Sequence, residues 1–210
     1  TPAAKGLDHK GQGDLVEPGQ VLARLQGTAF ASQVQDLRAK IDAGDIRRLR
    51  LEAEMAGQDS FAVPDDIAAR APATIASETA LLVSRMSTDR TQTEGAFAIV
   101  EQTRQELAVM QDLYDRQIAA LIELTRATKA NTDAEARYNE IVTAAELDRA
   151  TTYSDVLADL SSLNAELRLA EDRLSRTEIL SPMRGVVNEV KIATIGGVVG
   201  PGAEIFEITP

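Results

Sequence analysis

The 210-residue chain carries 33 acidic and 22 basic residues, which gives a formal net charge of -11, and 3% of its residues are aromatic. Because phosphate binding requires a cationic surface, this balance argues against nucleic acid as a partner. The absence of cysteine and the single histidine, His9, exclude a disulfide framework, a Cys/His zinc site, a cysteine nucleophile and a paired-histidine metal site.

Two distant segments near the ends share a pattern typical of short strands and turns. Residues 1–12 have no periodicity and are predicted to be a disordered or expression-derived end. Beyond them, residues 13–26 align without a gap with residues 196–209, sharing Gly, Val, Pro and Gly and three further aliphatic positions. Such a repeat predicts one small β-domain whose first half, 13–27, and second half, 177–210, are separated in sequence by a helical insert.

The insert begins with a helix predicted over about 28–56. Its apolar residues follow alternating steps of four and three, and Gly57 is a typical helix stop. Residues 58–73 include Pro64 and Pro72 and are predicted to break the helix, since proline removes a backbone donor.

Two further helices are predicted over about 74–116 and 120–176. The first has a weak apolar seam with Thr93 and Thr103 at core positions, which indicates looser packing or contact between neighbouring copies. The second carries the clearest heptad pattern, over 153–174, and is read as a coiled-coil strand.

The outgoing and returning helices must end at the same β-domain, so their lengths must be similar. A turn near 116–121 balances them better than a turn at 129–133, and we therefore predict a tip at about 114–124. Asn131 and its neighbours then become a surface feature or a local helix irregularity. The predicted fold is mainly α with a small β part, in which a long antiparallel α-helical coiled-coil hairpin (28–176) is inserted into a split β-domain.

The C-terminal segment carries a family resemblance. Residues 176–190 read Arg-Thr-Glu-Ile-Leu-Ser-Pro-Met-Arg-Gly-Val-Val-Asn-Glu-Val, and Thr-Ile-Gly-Gly-Val-Val-Gly-Pro-Gly at 194–202 and Glu-Ile-Thr-Pro at 207–210 follow. This resembles the second half of the lipoyl-like (barrel-sandwich hybrid) domain in periplasmic adaptors of the HlyD family, the membrane fusion proteins of type I secretion systems. The resemblance covers about 13–210 and is motif-specific over 176–209.

The resemblance implies an adaptor subunit that links an inner-membrane ABC transporter to a TolC-like outer-membrane channel for export of an unfolded protein substrate. It implies a periplasmic location in a Gram-negative cell and a homo-oligomer, a hexamer by analogy. A membrane anchor would lie outside these residues, because they contain no run of about 18 uncharged apolar residues. ATP hydrolysis would belong to the transporter, so no enzyme activity, catalytic residue, cofactor or metal is predicted for this chain.

The resemblance also implies that the tip contacts the channel. Arg116, Gln117 and Glu123 are the preferred contact candidates, while Leu121 and Leu124 have the alternative role of closing the coiled-coil seam. The predicted channel-binding residues are Tyr114, Arg116, Gln117, Leu121, Glu123 and Leu124.

Other functions stay open. One is the adaptor of a tripartite small-molecule efflux pump, although the tip lacks a clear Arg-Leu-x-x-Asp-Leu motif of the kind found in such adaptors; another is a structural coiled-coil spacer. A lipoyl or biotin carrier would need a lysine on the turn between its β halves, where the helical insert stands instead. Lys191 is therefore interpreted as a solvated strand residue, and the acidic pairs Asp65–Asp66 and Glu171–Asp172 as a solvated loop and a helix face.

Overall fold

The computed structural model describes residues 11–191, 200 and 202–210, and its elements are mainly helical with few strands, as the sequence predicted. His9, and residues 192–199 and 201 of the predicted second β half, lie outside this described part. In chain order the elements are β1 (Leu15–Val16), β2 (Val21–Arg24), α1 (Thr28–Met55), α2 (Asp65–Arg70), α3 (Pro72–Asp115), α4 (Leu121–Ser175), β3 (Glu178–Leu180), β4 (Gly185–Val190) and β5 (Phe206–Thr209).

The break between α1 and α3 contains a short helix that the sequence reading did not include. Asp65 and Asp66, predicted to lie in a solvated loop, form the first turn of α2, where negative charge complements the helix dipole. α3 begins at Pro72 rather than near residue 74, because proline at the first helical position has a preset φ and its missing N–H needs no partner there.

The chain divides into two compact units. The terminal unit comprises Thr1–Lys40 and Ser162–Pro210, and the central unit comprises Ile41–Ser161. All described strands belong to the terminal unit, together with the first part of α1 and the last part of α4. The unit boundaries therefore fall within helices and not at the predicted junctions between helix and strand.

In the terminal unit, strands from before and after the helices pair with one another. β1 pairs antiparallel with β4, with Val16 opposite Gly185, and β4 pairs with β5, which gives a sheet of order β1-β4-β5. β2 pairs antiparallel with β3 in a second sheet. Val16, Leu22 and Val187 form a buried core in which each is at most 2% exposed. The two ends of the chain thus share one apolar core.

α1 and α4 run antiparallel in each unit. In the terminal unit, Val34 and Leu37 are buried against the last turns of α4. In the central unit, Leu51 of α1 shares a buried cluster with Val156 of α4. The heptad pattern over 153–174 therefore marks the face of α4 that packs on α1.

α3 and α4 form an antiparallel hairpin in the central unit. Arg149 pairs with Asp89 at 2.6 Å, and further along the rings of Phe97 and Tyr138 have centroids 5.8 Å apart. In each pair the two residues are about equally far along the chain from the turn between the helices. The apolar seam predicted for α3 is real, since Ala96 and Val100 on it are buried.

A polar pair lies inside this hairpin seam. Asn131 is 8% exposed, Thr103 Oγ1 lies 3.3 Å from Asn131 Oδ1, and Asn131 Nδ2 donates to Glu135 at 3.0 Å. The prediction of Asn131 as a surface feature was wrong, because its side chain is buried and its Oδ1 accepts a hydrogen bond from Thr103 of the opposite helix. Thr103, for which looser packing or contact between copies was predicted, contacts the opposite helix of its own hairpin.

α1 and α3 lie side by side and parallel over a short stretch, here named the overlap segment (residues 42–55 beside residues 70–83). Two ion pairs mark it: Arg50 of α1 pairs with Glu78 of α3, and Asp42 of α1 pairs with Arg70, the last residue of α2. Both pairs join residues 28 positions apart. α1 and α3 have 28 and 44 residues, which together exceed the 55 residues of α4. The overlap absorbs this excess, because over it α1 and α3 run beside each other and not end to end.

α1 and α3 end in the same hydrogen-bonding motif with different residues at its left-handed position. After α1, the N–H of Gln58 donates back into the helix at 2.9 Å, and Gly57 has φ 66°. After α3, the N–H of Ile118 donates to the carbonyl of Leu113 at 2.9 Å, and Gln117 has φ 62°. Glycine adopts this φ freely, whereas a residue with a Cβ is strained by about 1 kcal/mol.

Replacing the left-handed residues is expected to change stability in opposite directions. Gln117→Gly relieves backbone strain and should raise the free energy of unfolding by about 1 kcal/mol. Gly57→Ala should lower it by a similar amount, since a Cβ there meets no atom within 4 Å and the penalty is the backbone alone. Urea denaturation followed by circular dichroism measures both; a destabilised Gln117→Gly protein would contradict the assigned strain.

Gly44 lies where α1 approaches α4 closely. A Cβ at this position would lie 2.7 Å from Leu160 Cδ2, so Gly44→Ala should lower the free energy of unfolding by about 1–2 kcal/mol despite the better helix propensity of alanine. Gly95 in α3 is the matched control: its Cβ would meet nothing within 4 Å, and Gly95→Ala should stabilise by about 0.5–1 kcal/mol. Thermal denaturation of both variants measures the two changes in stability. Equal changes in the melting temperature of Gly44→Ala and Gly95→Ala would refute the close approach at Gly44.

The ion pair between Asp42 and Arg70 predicts a pH dependence. Arg70 donates to both carboxylate oxygens of Asp42, at 2.7 and 2.9 Å, and this hydrogen bonding holds the pKa of Asp42 below its usual value against the opposing effect of burial. A carboxyl group whose pKa is lower in the folded than in the unfolded protein stabilises the fold at pH values above its unfolded-state pKa of about 4. That stabilisation is lost as the pH falls through the folded-state pKa.

Asp42→Asn should therefore cost about 1–2 kcal/mol at pH 7, and the difference from wild type should shrink below pH 4. Asp133→Asn, which removes an exposed pair with Lys129, should cost no more than about 0.5 kcal/mol. Urea denaturation at pH 7, 5 and 3 checks both. A pH-independent cost at Asp42 would show that the ion pair is not its cause.

Candidate partner-binding site at the hairpin turn

The turn between α3 and α4 consists of residues 116–120 and lies within the tip predicted at 114–124. α3 ends at Asp115, and the exposed Arg116 occupies the position that closes the helix, with its side chain 3.0 Å from Asp112. Gln117 takes the left-handed conformation, and its N–H donates to the carbonyl of Tyr114 at 2.8 Å. Hydrogen bonds back into α3 therefore fix the path of the turn.

Glu123 fixes the start of α4. Its Oε2 accepts a hydrogen bond from the N–H of Ala120 at 3.1 Å, and its own N–H donates to the carbonyl of Ala120 at 2.9 Å. This reciprocal pattern satisfies backbone donors that the first helical turn would otherwise leave free. Glu123, predicted as a contact residue, therefore has a capping role of its own.

The turn presents aliphatic side chains to solvent. Ile118 is 69% exposed, Leu121 61% and Ile122 58%. Leu124 is half-buried, in keeping with the seam role considered for it, whereas the exposure of Leu121 argues against that role. Tyr114 is 37% exposed at the last turn of α3.

Ile118 and Ile122 were missed by the sequence prediction, which favoured charged and amide side chains. Their signal was present, because both are large aliphatic residues at or next to a predicted turn, where no second helix is available to cover them. Apolar side chains beside charges that are already paired suit the binding of another protein surface.

A groove of about 670 Å³ lies on one side of the hairpin close to the turn. Val109 and Met110 of α3 contribute apolar walls, and Glu123 and Arg126 of α4 contribute charge. Val109 is 56% exposed, so the groove adds apolar surface to that of the turn.

The described residues give little support for a metal site or for a cofactor attachment site. No group of three or more His, Asp or Glu side chains in the described ranges is arranged to hold a metal ion. Lys191, considered as an attachment site, is exposed after β4 and forms an ion pair with Glu204, whose hydrogen bond raises the pKa of Lys191. Among the helices that the structure describes, none combines the length and apolar character needed to cross a bilayer.

Comparison with known proteins gives a close match in fold and a relative in sequence. The crystal structure of the soluble domain of LipC, a membrane fusion protein of a type I secretion system, covers 100% of this chain and 96% of its own, with a TM-score of 0.87 and 22% identity. The periplasmic adaptor protein EmrA covers 100% of this chain and 69% of its own at 16% identity, and its TM-score of 0.48 is too low to support a shared arrangement.

The sequence relative is the type I secretion system membrane fusion protein PrsE of Rhizobium meliloti (strain 1021), 26% identical over 95% of this chain. The chain spans about 56% of the length of that relative. No family model matches the chain. The resemblance of the C-terminal segment to membrane fusion proteins of type I secretion systems is thereby confirmed: this chain is related to them in sequence and shares the fold of a soluble domain from one of them.

Proposed function

We propose that this chain is the helical and β portion of an adaptor subunit that bridges an inner-membrane ABC transporter and a TolC-like outer-membrane channel during export of an unfolded protein. The observation that carries the proposal is the similarity to a type I secretion membrane fusion protein over 95% of the chain. The periplasm is the compartment such a bridge occupies.

The pairing of strands across the helical insert supports a split lipoyl-like domain. β1 and β2 precede the helices, and each pairs with a strand that follows them. A domain built in this way holds both ends of the helical insert at one place. The rest of the insert is then free to reach a second partner, which is what a bridging subunit requires.

The turn is the proposed contact with the channel. Ile118, Leu121 and Ile122 offer apolar area, while Tyr114, Arg116 and Gln117 offer polar groups around it. An apolar centre with a polar rim is the usual composition of a protein interface. Glu123 contributes by holding the turn in shape and by lining the adjacent groove.

Assembly of several copies, a hexamer by analogy, is part of the proposal. The central unit holds 22 of the 33 acidic and 12 of the 22 basic residues, so it carries a net charge of about -10 while the terminal unit carries about -1. Copies packed through their central units would repel one another, and the terminal units are therefore the better site for contact between copies at low salt.

The turn is tested by placing acidic residues on it in the full-length protein. Leu121→Asp with Ile122→Asp should reduce secretion of the substrate at least about tenfold in cells that contain the transporter and the channel, because charge replaces the apolar contact area. Both positions lie in the first turn of α4, where Asp complements the helix dipole and should leave the fold intact. Secreted substrate is quantified in the culture medium.

Leu147→Asp with Leu157→Asp is the matched control, since both leucines are exposed on α4 away from the turn, at 66% and 42%. The control should secrete normally. A photo-crosslinking residue at position 118 should form a crosslink to the channel when the rest of the chain is wild type. It should form no such crosslink when the chain also carries Leu121→Asp and Ile122→Asp. Normal secretion by a folded turn variant would refute the proposed contact.

A further inference from the structure

Three ionisable side chains are buried together in the overlap segment of the central unit. Arg50 is 2% exposed, Glu54 7% and Glu78 9%. Arg50 Nε donates to Glu78 Oε2 at 2.5 Å, and Arg50 Nη1 donates to Glu54 Oε1. We name these three residues the Arg50 cluster.

The Arg50 cluster has more buried acidic groups than basic groups, which is unfavourable for stability. Two buried carboxylates share one buried guanidinium, and Glu54 Oε2 is fully buried without a hydrogen-bond partner among the described residues. Arg47 lies at the edge, with Nε 3.7 Å from Glu78 Oε1, but its side chain is 55% exposed. Burial of charge costs more than such contacts commonly return, and apolar replacement of buried ion networks is often neutral or stabilising.

The cluster joins two helices that could otherwise slide along each other. Arg50 and Glu54 belong to α1 and Glu78 to α3, and these helices are parallel because each runs antiparallel to α4 in the central unit. The Arg50–Glu78 pair sets an offset of 28 residues between them. Ile46 and Leu51 of α1 and Leu82 of α3 are fully buried in the same unit. Aliphatic cores tolerate repacking when their volume is kept, so these residues by themselves specify the offset weakly.

A slip of one helical turn in either direction is penalised by charge. Moving α3 by four residues one way places Glu78 level with Glu54, so that two carboxylates face each other in a buried site. Moving it the other way places Leu82 level with Arg50 and Glu78 level with Ile46, so that Glu78 loses Arg50 and Arg50 keeps only Glu54 of its own helix. The present offset is the one that sets Arg50 between its two carboxylates.

We propose that the Arg50 cluster selects the register of α3 on α1 and contributes little to net stability. Register in turn sets how far the hairpin turn lies beyond the end of α1, in steps of about 5.4 Å per helical turn. The inference does not depend on the proposed function, because it concerns only the packing of two helices within the central unit.

The test compares an apolar triple variant, Arg50→Met with Glu54→Leu and Glu78→Leu, with the wild-type protein. The chain has no cysteine, so spin labels can be attached at Met55→Cys and Val83→Cys alone. These exposed positions, at 46% and 57%, share the same 28-residue offset on α1 and α3. Double electron–electron resonance then reports the distance distribution between the two helices.

The wild-type background should give one narrow distance peak. The triple variant should keep its helical circular dichroism and its urea midpoint, and should show a second peak for helices displaced by about one turn. Arg50→Met alone leaves buried Glu54 without its cation and Glu78 with only the exposed Arg47, and should lower the folding equilibrium constant about 100-fold or more.

Arg90→Met with Glu94→Leu is the control for added apolar surface, since it replaces an exposed pair on α3 and should leave the single peak unchanged. A triple variant with one unchanged peak would overturn the register role. A triple variant that loses its helical structure would overturn the inference as well, because it would show that the cluster supplies stability.

Discussion

The pairing of strands across the helical insert is the constraint on which the rest of the structure depends. Once β1 is paired with β4 and β2 with β3, α1 must leave and α4 must return at the same sheet core. Closing so long a loop costs entropy only logarithmically, so a small apolar core around Val16 and Val187 can hold it together with the seam between α1 and α4. The outgoing and returning helices must then match in extent. α1 and α3 together exceed α4, and their parallel overlap removes the excess.

Much of this fold is visible in the sequence because it rests on local periodicity and on turn residues. The heptads of α4 and the stop at Gly57 each follow from a few neighbouring side chains. The overlap segment was not predicted, because parallel packing between α1 and α3 depends on pairs such as Arg50 with Glu78 that are 28 residues apart and carry no local signal. Asn131 was misplaced for a similar reason. An asparagine in a helix reads as exposed unless its partner on the opposite helix is known.

The hairpin turn shows the same division between local and non-local information. Its position followed from the balance of helix lengths, and its polar residues were identified as candidates from their chemistry. Their separate roles follow only from backbone geometry: Gln117 takes the left-handed position, and Glu123 caps α4. Ile118 and Ile122 were not among the predicted contact residues, although both stand at or next to the predicted turn, because charged and amide side chains were preferred.

The overlap segment also creates a step in the thickness of the central unit. Beside residues 70–83 the hairpin is accompanied by α1, whereas from about residue 84 to Asp115 the described helices that lie side by side are α3 and α4, over about 48 Å of helix at 1.5 Å per residue. A partner that accommodates two helices would meet a third at this shoulder. The end of α1 would therefore act as a depth stop, limiting how much of the hairpin any docking protein can enclose.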